Sequence, residues 1–212
     1  MGGVFIVLEG PDGSGKSTQA RRLAERLRAT GREVLLTREP GGTAIGEEIR
    51  TILLDRDNYA MLAETEALLH SAARAQHVGE VIRPALERGC IVVCDRFADS
   101  TLAYQGGGRG LPIAELRAVE RLATGGLTAH LRLLLDLPVE LGLRRRFGAG
   151  HEVNRLDLAE IDFHRRVRET YLDLARSDPQ RWVVVNASDS IDSVTDQIVW
   201  AVETRLGLRV DP

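Results

Sequence analysis

The 212-residue sequence is poor in aromatic residues, in cysteine and in long apolar runs, and each shortage argues against a class of protein. Aromatic residues make up 4% of the chain, too few for a platform on which single-stranded nucleic acid stacks. The formal net charge of −3 argues against a protein that coats nucleic acid. No apolar run approaches the roughly 18 residues that can span a bilayer, and the N-terminus lacks a signal-peptide pattern. We therefore expect a cytoplasmic protein with no membrane or nucleic-acid partner.

The cysteines and histidines predict neither a zinc site nor a nucleophilic catalytic centre. Cys90 and Cys94 flank the apolar run Ile91-Val92-Val93, which is typical of a buried strand, so we interpret both as small core residues. Their C-x-x-x-C spacing has no paired histidines nearby and is weak evidence for zinc. The sequence contains no H-E-x-x-H motif and no G-x-S-x-G elbow. Four histidines are interpreted as structural or surface residues: His77, His130, His151 and His164.

Five apolar segments alternate with helical patterns, and this alternation predicts the fold. The predicted strands are residues 4–8, 33–37, 91–94, 131–137 and 182–185. Strands that are apolar throughout are buried on both faces, and helices between them imply right-handed crossovers and a parallel sheet. The predicted helices cover residues 16–29, a stretch after Thr43, 62–86 with a candidate kink at Pro84, 100–104, 112–123, a stretch from about Pro138, 158–175 and 191–206. We therefore predict a single α/β domain over residues 1–212, a three-layer sandwich around five parallel strands.

A phosphate-binding motif follows the first predicted strand. The segment Gly10-Pro11-Asp12-Gly13-Ser14-Gly15-Lys16-Ser17, with Thr18 after it, reads G-x-x-x-x-G-K-[ST] and opens the first predicted helix. Glycines let backbone N–H groups turn toward a phosphate, and the helix N-terminus adds a partial positive charge. Lys16 can reach the β- and γ-phosphates, and the Ser17 hydroxyl can ligate Mg²⁺. The sequence therefore predicts that residues 10–18 bind a nucleoside triphosphate.

Two further strand ends carry residues suited to the same site. Ligands of parallel sheets bind at the carboxyl ends of the strands, where the loop 38–43 and the pair Asp95-Arg96 are placed. Asp95 directly follows an apolar strand, the position of a carboxylate that holds Mg²⁺ through water or through Ser17. The planar guanidinium of Arg96 suits a phosphate.

A basic segment after the fourth strand predicts a mobile lid at about residues 144–157. Arg144-Arg145-Arg146 precede Phe147-Gly148-Ala149-Gly150, and Arg155 lies beyond. Such a segment can close over ATP and exclude water, whereas an exposed basic helix end is the alternative. Consecutive helical residues point about 100° apart, so the three arginines cannot all face one ligand. The residues alone leave open which of Arg144, Arg145, Arg146 and Arg155 faces the phosphates.

Further segments resemble bacterial thymidylate kinases over nearly the whole chain. They are residues 5–18, 38–43, 73–77, 95–97 and 100–106, in matching order and spacing. The resemblance implies transfer of the ATP γ-phosphate to dTMP with Mg²⁺, on a homodimer with a nucleoside-monophosphate-kinase fold. The acceptor phosphate is already largely deprotonated at neutral pH, since its second pKa is about 6, so no protein base is needed.

The same resemblance implies roles for individual residues. Arg74 is expected to hydrogen-bond the thymine with help from Thr101 and Gln105, Arg50 and Arg96 to grip the acceptor phosphate, and Tyr104 to press on the sugar. The predicted dTMP-binding residues are Glu39, Arg50, His70, Arg74, Arg96, Ser100, Thr101, Tyr104 and Gln105. The predicted catalytic residues are Asp12, Lys16, Arg96 and Arg145. The predicted metal-binding residues are Ser17 and Asp95, with Asp12 and Glu39 as further candidates near the deoxyribose.

Three features depart from the family pattern: position 13, the lid and position 70. Gly13 stands where one branch carries a catalytic arginine, so the transition-state arginine is expected from the lid. The lid segment 148–151 lacks a further arginine, and Asn154 replaces a common aspartate. His70 stands where the family usually has a phenylalanine, and we predict that its ring stacks on the thymine.

Two other functions are weighed against this one. Residues 154–157 resemble a guanine-reading N-K-x-D motif of a GTPase switch, but they follow no apolar strand, and residues 95–98 lack the glycine of a D-x-x-G motif. The other alternative is a kinase for a different deoxynucleotide or for a deoxynucleoside.

Overall fold

A five-stranded sheet forms the centre of the molecule. The computed structural model describes residues 2–148 and 160–210. The strands are β1 (Val4–Glu9), β2 (Val34–Arg38), β3 (Ile91–Asp95), β4 (Leu131–Asp136) and β5 (Trp182–Asn186). All neighbours pair in parallel, in the order β2-β3-β1-β4-β5. The predicted α/β sandwich with five parallel strands is confirmed.

Both faces of the sheet are covered, as apolar strands require. Ile6 and Leu8 of β1 pack in one cluster with residues of α1 and α9, whereas Phe5 and Val7 belong to a second cluster that includes Val92. The helices are α1 (Lys16–Ala29), α2 (Ala44–Leu54), α3 (Ala63–His77), α4 (Arg83–Glu87), α5 (Ala98–Thr101), α6 (Ile113–Thr124), α7 (Val139–Gly148), α8 (Ile161–Ser177) and α9 (Ile191–Leu206). Among the described residues, no helix combines the length and the apolarity of a membrane span. Cys90 and Cys94 are buried thiols, in agreement with their predicted core role.

The register of the central strands brings three chain segments together. Leu8 of β1 and Arg38 of β2 both stand opposite Asp95 of β3. Asp95 is therefore the last residue of β3 rather than the first residue after it, a small correction to the predicted strand end. The segments that leave β1, β2 and β3 consequently start at the same level of the sheet edge.

The predicted helix over residues 62–86 is interrupted. A π-helical turn at Val78–Ile82 separates α3 from α4. Pro84 has no N–H to donate to the preceding turn, and the wider turn lies just before it. The predicted kink at Pro84 thus takes the form of a π-helical insertion.

The predicted end of the helix over residues 100–104 is wrong. The helix begins at Ala98 and continues as π-helical turns over Leu102–Gly108, so it includes the three glycines placed after it. A Cβ on Gly107 or Gly108 would overlap the side chains of Thr170 and Phe163 on α8. The glycines therefore serve close helix packing rather than a helix end.

Candidate active site

A cleft of about 1100 Å³ opens at the carboxyl ends of the strands. Its wall includes residues of the phosphate-binding loop, the loop after β2, the segment after β3, helix α7 and the loop between β5 and α9. The predicted site residues on this wall are Asp12–Thr18, Glu39, Arg50, His70, Asp95, Arg96, Ser100, Thr101, Tyr104, Gln105 and Arg145. The predicted residues Gly10, Pro11 and Arg74 are not among the residues that line the cleft. The structure thus gathers most of the predicted residues into one space.

The phosphate-binding loop folds around the ammonium group of Lys16. Gly10, Gly13 and Gly15 have φ values of 143°, 75° and 87°, the left-handed region that glycine adopts without strain. Lys16 Nζ donates to Pro11 O at 2.8 Å and lies 3.4 Å from Ser14 Oγ. Burial, together with the charge of Arg96, lowers the pKa of Lys16 to about 8.

Ser17 and Asp95 fit a magnesium ion. Ser17 Oγ donates to Asp95 Oδ2 at 2.5 Å. The other oxygen, Asp95 Oδ1, is buried and accepts no hydrogen bond from the described residues. A hydroxyl and a carboxylate oxygen are ligands that Mg²⁺ prefers, so this pair offers a metal-binding position beside the phosphate-binding loop.

The other two candidate metal residues are engaged with cations of the protein. Asp12 Oδ1 accepts from Arg96 Nη2 at 2.6 Å, and Asp12 Oδ2 accepts from Tyr104 OH at 2.7 Å. Burial alone would raise the pKa of Asp12, but the charges of Arg96 and Lys16 and the Tyr104 hydrogen bond lower it to about 2. Glu39 binds Arg74 through Oε2. Both carboxylates therefore orient arginines in this structure.

Arg96 is held in place from several sides. Its φ of 72° lies in the left-handed region, which non-glycine residues adopt at functional sites when their surroundings enforce it. Nη2 also donates to Tyr104 OH at 2.9 Å, and Nη1 donates to Gly10 O at 3.2 Å. The guanidinium lies 4.8 Å from the centre of the Tyr104 ring. Arg96 is thus fixed at the edge of the phosphate-binding loop.

A buried carboxylate that the sequence did not single out lies beneath Arg96. Glu9 Oε1 accepts from Phe97 N at 2.9 Å, and Oε2 accepts from Ser100 Oγ at 2.6 Å and from Tyr171 OH at 2.9 Å. Burial and the nearby charge of Asp99 raise the pKa of Glu9 to about 7. The signal available in the sequence was a glutamate that directly follows the apolar run of residues 4–8.

Arg74 is buried among protein groups. Nε donates to Glu39 Oε2 at 2.7 Å, Nη1 donates to Thr101 Oγ1 at 2.9 Å, and Nη2 donates to Phe97 O at 3.0 Å. Nη1 also lies 2.6 Å from Glu120 Oε2 of α6. Because Glu39 and Thr101 line the cleft, Arg74 connects two residues of its wall, and its predicted contact with thymine stays a prediction.

Two arginines meet at the loop that follows β2. Arg50 Nη1 donates to Pro40 O at 2.8 Å, and Arg38 Nη1 donates to the same oxygen at 2.9 Å. Both arginines line the cleft. Arg38 was not among the predicted site residues, although it begins the polar loop that drew attention to this strand end.

Helix α7 packs directly on the phosphate-binding loop. A Cβ on Gly13 would lie 2.7 Å from Gly142 C, and a Cβ on Gly142 would lie 2.6 Å from Asp12 O. Arg145 and Arg146 of α7 reach the cleft wall. The predicted lid residues 149–157, including Arg155, lie outside the described residues.

The loop after β5 forms a wall of the cleft that sequence reasoning missed. Arg145 Nη1 donates to Ala187 O at 2.7 Å, and Nη2 donates to Ser188 O at 3.3 Å. Asp189, Ser190 and the start of α9 continue this wall. Its only signal in the sequence was a polar segment after an apolar strand.

Comparisons with known proteins agree on one family. The family described as Thymidylate kinase matches residues 8–198. The Thymidylate kinase of Thermomicrobium roseum is 56% identical over 202 residues, which cover 95% of each chain. The Thymidylate kinase of Syntrophotalea carbinolica is 50% identical over 96% of this chain and 97% of its own, and that of Deinococcus radiodurans is 52% identical over 96% and 98%. The chain belongs to the thymidylate kinase family.

Proposed function

We propose that this protein transfers the γ-phosphate of ATP to dTMP and so produces dTDP and ADP. The observation that carries the proposal is that one cleft contains both residues 12–18 of the phosphate-binding loop and a second set of cations, Arg50 and Arg96. Two groups of anion-binding residues in one cleft suit two phosphorylated substrates. Membership of the thymidylate kinase family suggests that these substrates are ATP and dTMP.

The arrangement supports catalysis by positioning and charge neutralisation. A dTMP phosphate oxygen attacks the γ-phosphorus, and the bond from that phosphorus to the β,γ-bridging oxygen breaks, which leaves ADP. In our proposal Lys16 neutralises the β- and γ-phosphates, and Arg50 and Arg96 hold the acceptor phosphate in line. Mg²⁺, held by Ser17 and Asp95, would supply further positive charge to the triphosphate. Asp12 keeps Arg96 oriented, since its low pKa leaves it ionised at neutral pH.

The arginine that serves the transferred phosphoryl group is expected on α7 or beyond it. Arg145 is our first candidate, although its hydrogen bonds to Ala187 and Ser188 give it a second role on the loop after β5. Arg145→Ala should lower kcat by about 10²–10³-fold if the guanidinium acts on the phosphates. A higher KM for ATP with little change in kcat would limit Arg145 to the loop contact. The catalytic role would then pass to Arg144, Arg146 or Arg155.

A substrate panel tests the proposed reaction. An ADP-release assay compares dTMP with dUMP, dCMP, dAMP, dGMP and thymidine, with ATP as donor, and dTMP should give the highest kcat/KM. A higher value for thymidine would contradict the proposal and favour a nucleoside kinase. Tighter binding of GTP than of ATP would favour a GTPase.

A homodimer and a cytoplasmic location complete the proposal. The homodimer is supported by apolar side chains that are exposed on α2, α3 and α6. These helices are neighbours, since α3 contacts both α2 and α6. Ile45, Ile52, Leu68 and Leu122 are 46–85% exposed, and exposed apolar patches mark protein interfaces. Sedimentation should show a dimer for the native chain and a monomer for Leu68→Glu. A native monomer at micromolar concentration would contradict the homodimer.

A further inference from the structure

The cleft offers the base of the acceptor nucleotide a hydrogen-bonding group whose orientation the protein fixes. The wall that carries Arg50 and Arg96 also includes polar side chains without a formal charge, which can hydrogen-bond the base. Gln105 is one of them, and its side chain is 1% exposed. This inference rests on the proposed function and concerns how the site chooses its base.

Glu66 determines which way the Gln105 amide points. Gln105 Nε2 donates to Glu66 Oε1 at 2.6 Å. Glu66 is fully buried, and Arg109 Nη2 donates to its other oxygen at 3.1 Å. Arg109 Nε also donates to Glu66 Oε1, at 3.4 Å, and a guanidinium has donors only, so both oxygens of Glu66 act as acceptors. The amide must therefore present its NH₂ group to Glu66.

The carbonyl oxygen of Gln105 is left for a ligand. Within residues 2–148 and 160–210, no group donates a hydrogen bond to Gln105 Oε1. We propose that Glu66 is a positioning residue that holds Gln105 with this oxygen available in the cleft, and that the site thereby selects a base with a hydrogen on its ring nitrogen N3. Thymine and uracil carry that hydrogen, whereas the N3 atom of cytosine is itself an acceptor.

The expected selectivity follows from the cost of unpaired buried acceptors. With cytosine, the N3 acceptor would face the Oε1 acceptor of a side chain that is 1% exposed, and neither would receive a hydrogen bond from the other. Sites built around such a hydrogen bond reject the mismatched ligand by about 10⁴–10⁵-fold at the upper end. In Glu66→Gln the new amide can accept as well as donate, so Gln105 is free to rotate by half a turn and offer NH₂ instead.

The test measures kcat/KM for dTMP, dUMP and dCMP in the native chain and in Glu66→Gln. The native chain should prefer dUMP to dCMP by at least about 10²-fold, since the two bases differ at N3 and C4 only. In Glu66→Gln, kcat/KM for dTMP and dUMP should fall by the same factor, about tenfold or more and mainly through KM. The value for dCMP should not fall. Glu169→Gln is the matched control, because it makes the same change in an exposed pair with Arg176.

Several outcomes would overturn the inference. Equal losses for all three nucleotides would indicate general damage, and no loss for any would show that Glu66 does not act on base selection. Equal kcat/KM values for dUMP and dCMP in the native chain would also contradict the inference, without any variant. The proposed phosphorylation of dTMP would not be affected by that result. No turnover of dTMP at all would contradict the proposed function itself.

An exchange variant separates positioning from folding. In Glu66→Gln combined with Gln105→Glu, the amide at 66 can donate to the carboxylate at 105, which keeps an acceptor in the cleft. The preference for dTMP over dCMP should return to within about tenfold of the native value. If the exchange variant prefers dTMP to dCMP no more than Glu66→Gln does, the proposed orientation is contradicted. If Glu66→Gln does not fold, the exchange variant is judged alone, and a preference below about 10²-fold contradicts the proposed orientation.

Discussion

Replacing Gly13 by alanine tests whether helix α7 must rest on the phosphate-binding loop. The loop and the helix meet backbone to backbone, with Gly13 on one side and Gly142 on the other. A Cβ at position 13 would overlap the carbonyl oxygen of Gly142 and lie 2.7 Å from its carbon. No flexible side-chain end lies between them to give way.

Two costs can be worked from this geometry. Gly13 has a φ of 75°, a conformation that costs a non-glycine residue about 1–2 kcal/mol. Carbon atoms in contact lie about 3.5–4.0 Å apart, so α7 would have to retreat by about 1 Å. Arg145 and Arg146 would move with it, and a displacement of about 1 Å near the reacting groups can lower the rate by about 10²-fold. We therefore expect kcat of Gly13→Ala to fall by about 10²-fold.

Gly31→Ala is the matched control for this experiment. Gly31 has a φ of 82° and lies in the turn between α1 and β2. A Cβ there would meet no described atom within 4 Å, so the variant carries the backbone strain without the overlap. Both variants should lose stability, at about 2–4 °C in Tm per kcal/mol for a chain of this length. Only Gly13→Ala should lose kcat in a coupled ADP-release assay with both substrates saturating. A kcat for Gly13→Ala within threefold of the control would refute the argument.

Three further predictions concern other parts of the site. Burial and Asp99 raise the pKa of Glu9 from 4.5 to about 7. Between these two pH values the folded chain binds more protons than the unfolded chain, so the free energy of unfolding falls as the pH rises. The free energy of unfolding should therefore drop by about 2–3 kcal/mol more between pH 5 and pH 8 in the native chain than in Glu9→Gln, as measured by urea titration; equal drops would contradict this. Tyr104→Phe keeps the ring but removes the hydroxyl that Arg96 and Asp12 share, so KM for dTMP should rise by about tenfold, and an unchanged KM would count against this role. Ser17→Ala should raise the Mg²⁺ concentration at half-maximal rate by about tenfold or more, and an unaltered Mg²⁺ titration would remove Ser17 from the metal site.

The fold was predictable because its signals are local. Strand β1, the glycine loop and helix α1 form one continuous stretch, and each element is visible in neighbouring residues. The rule that ligands bind at strand carboxyl ends then placed Asp95 and Arg96 beside Lys16, and the structure brings all three to one cleft. The roles assigned to individual residues from the family resemblance stay predictions.

The supporting shell of the site could not be predicted because its pairs are distant in sequence. Glu9 meets Tyr171 across 162 positions, and Arg145 meets Ala187 across 42. Glu66 lies in α3, which has several polar residues, and the sequence of that helix does not distinguish Glu66 from the others. Nothing in a single sequence indicates which buried carboxylate faces which arginine or amide, since that depends on how helices pack across the sheet.

The contact between Gly13 and Gly142 changes how the missing loop arginine is understood. The sequence shows only that position 13 is glycine where one branch of the family has a catalytic arginine. In the structure an arginine there is incompatible with the position of α7, because its Cβ alone would overlap the helix backbone. A cation within the loop and a helix seated on the loop are therefore alternative arrangements. This chain has the second, and α7 brings Arg145 and Arg146 to the cleft. The same contact that excludes an arginine from the loop also seats α7 on the loop, and α7 carries two arginines of the cleft wall.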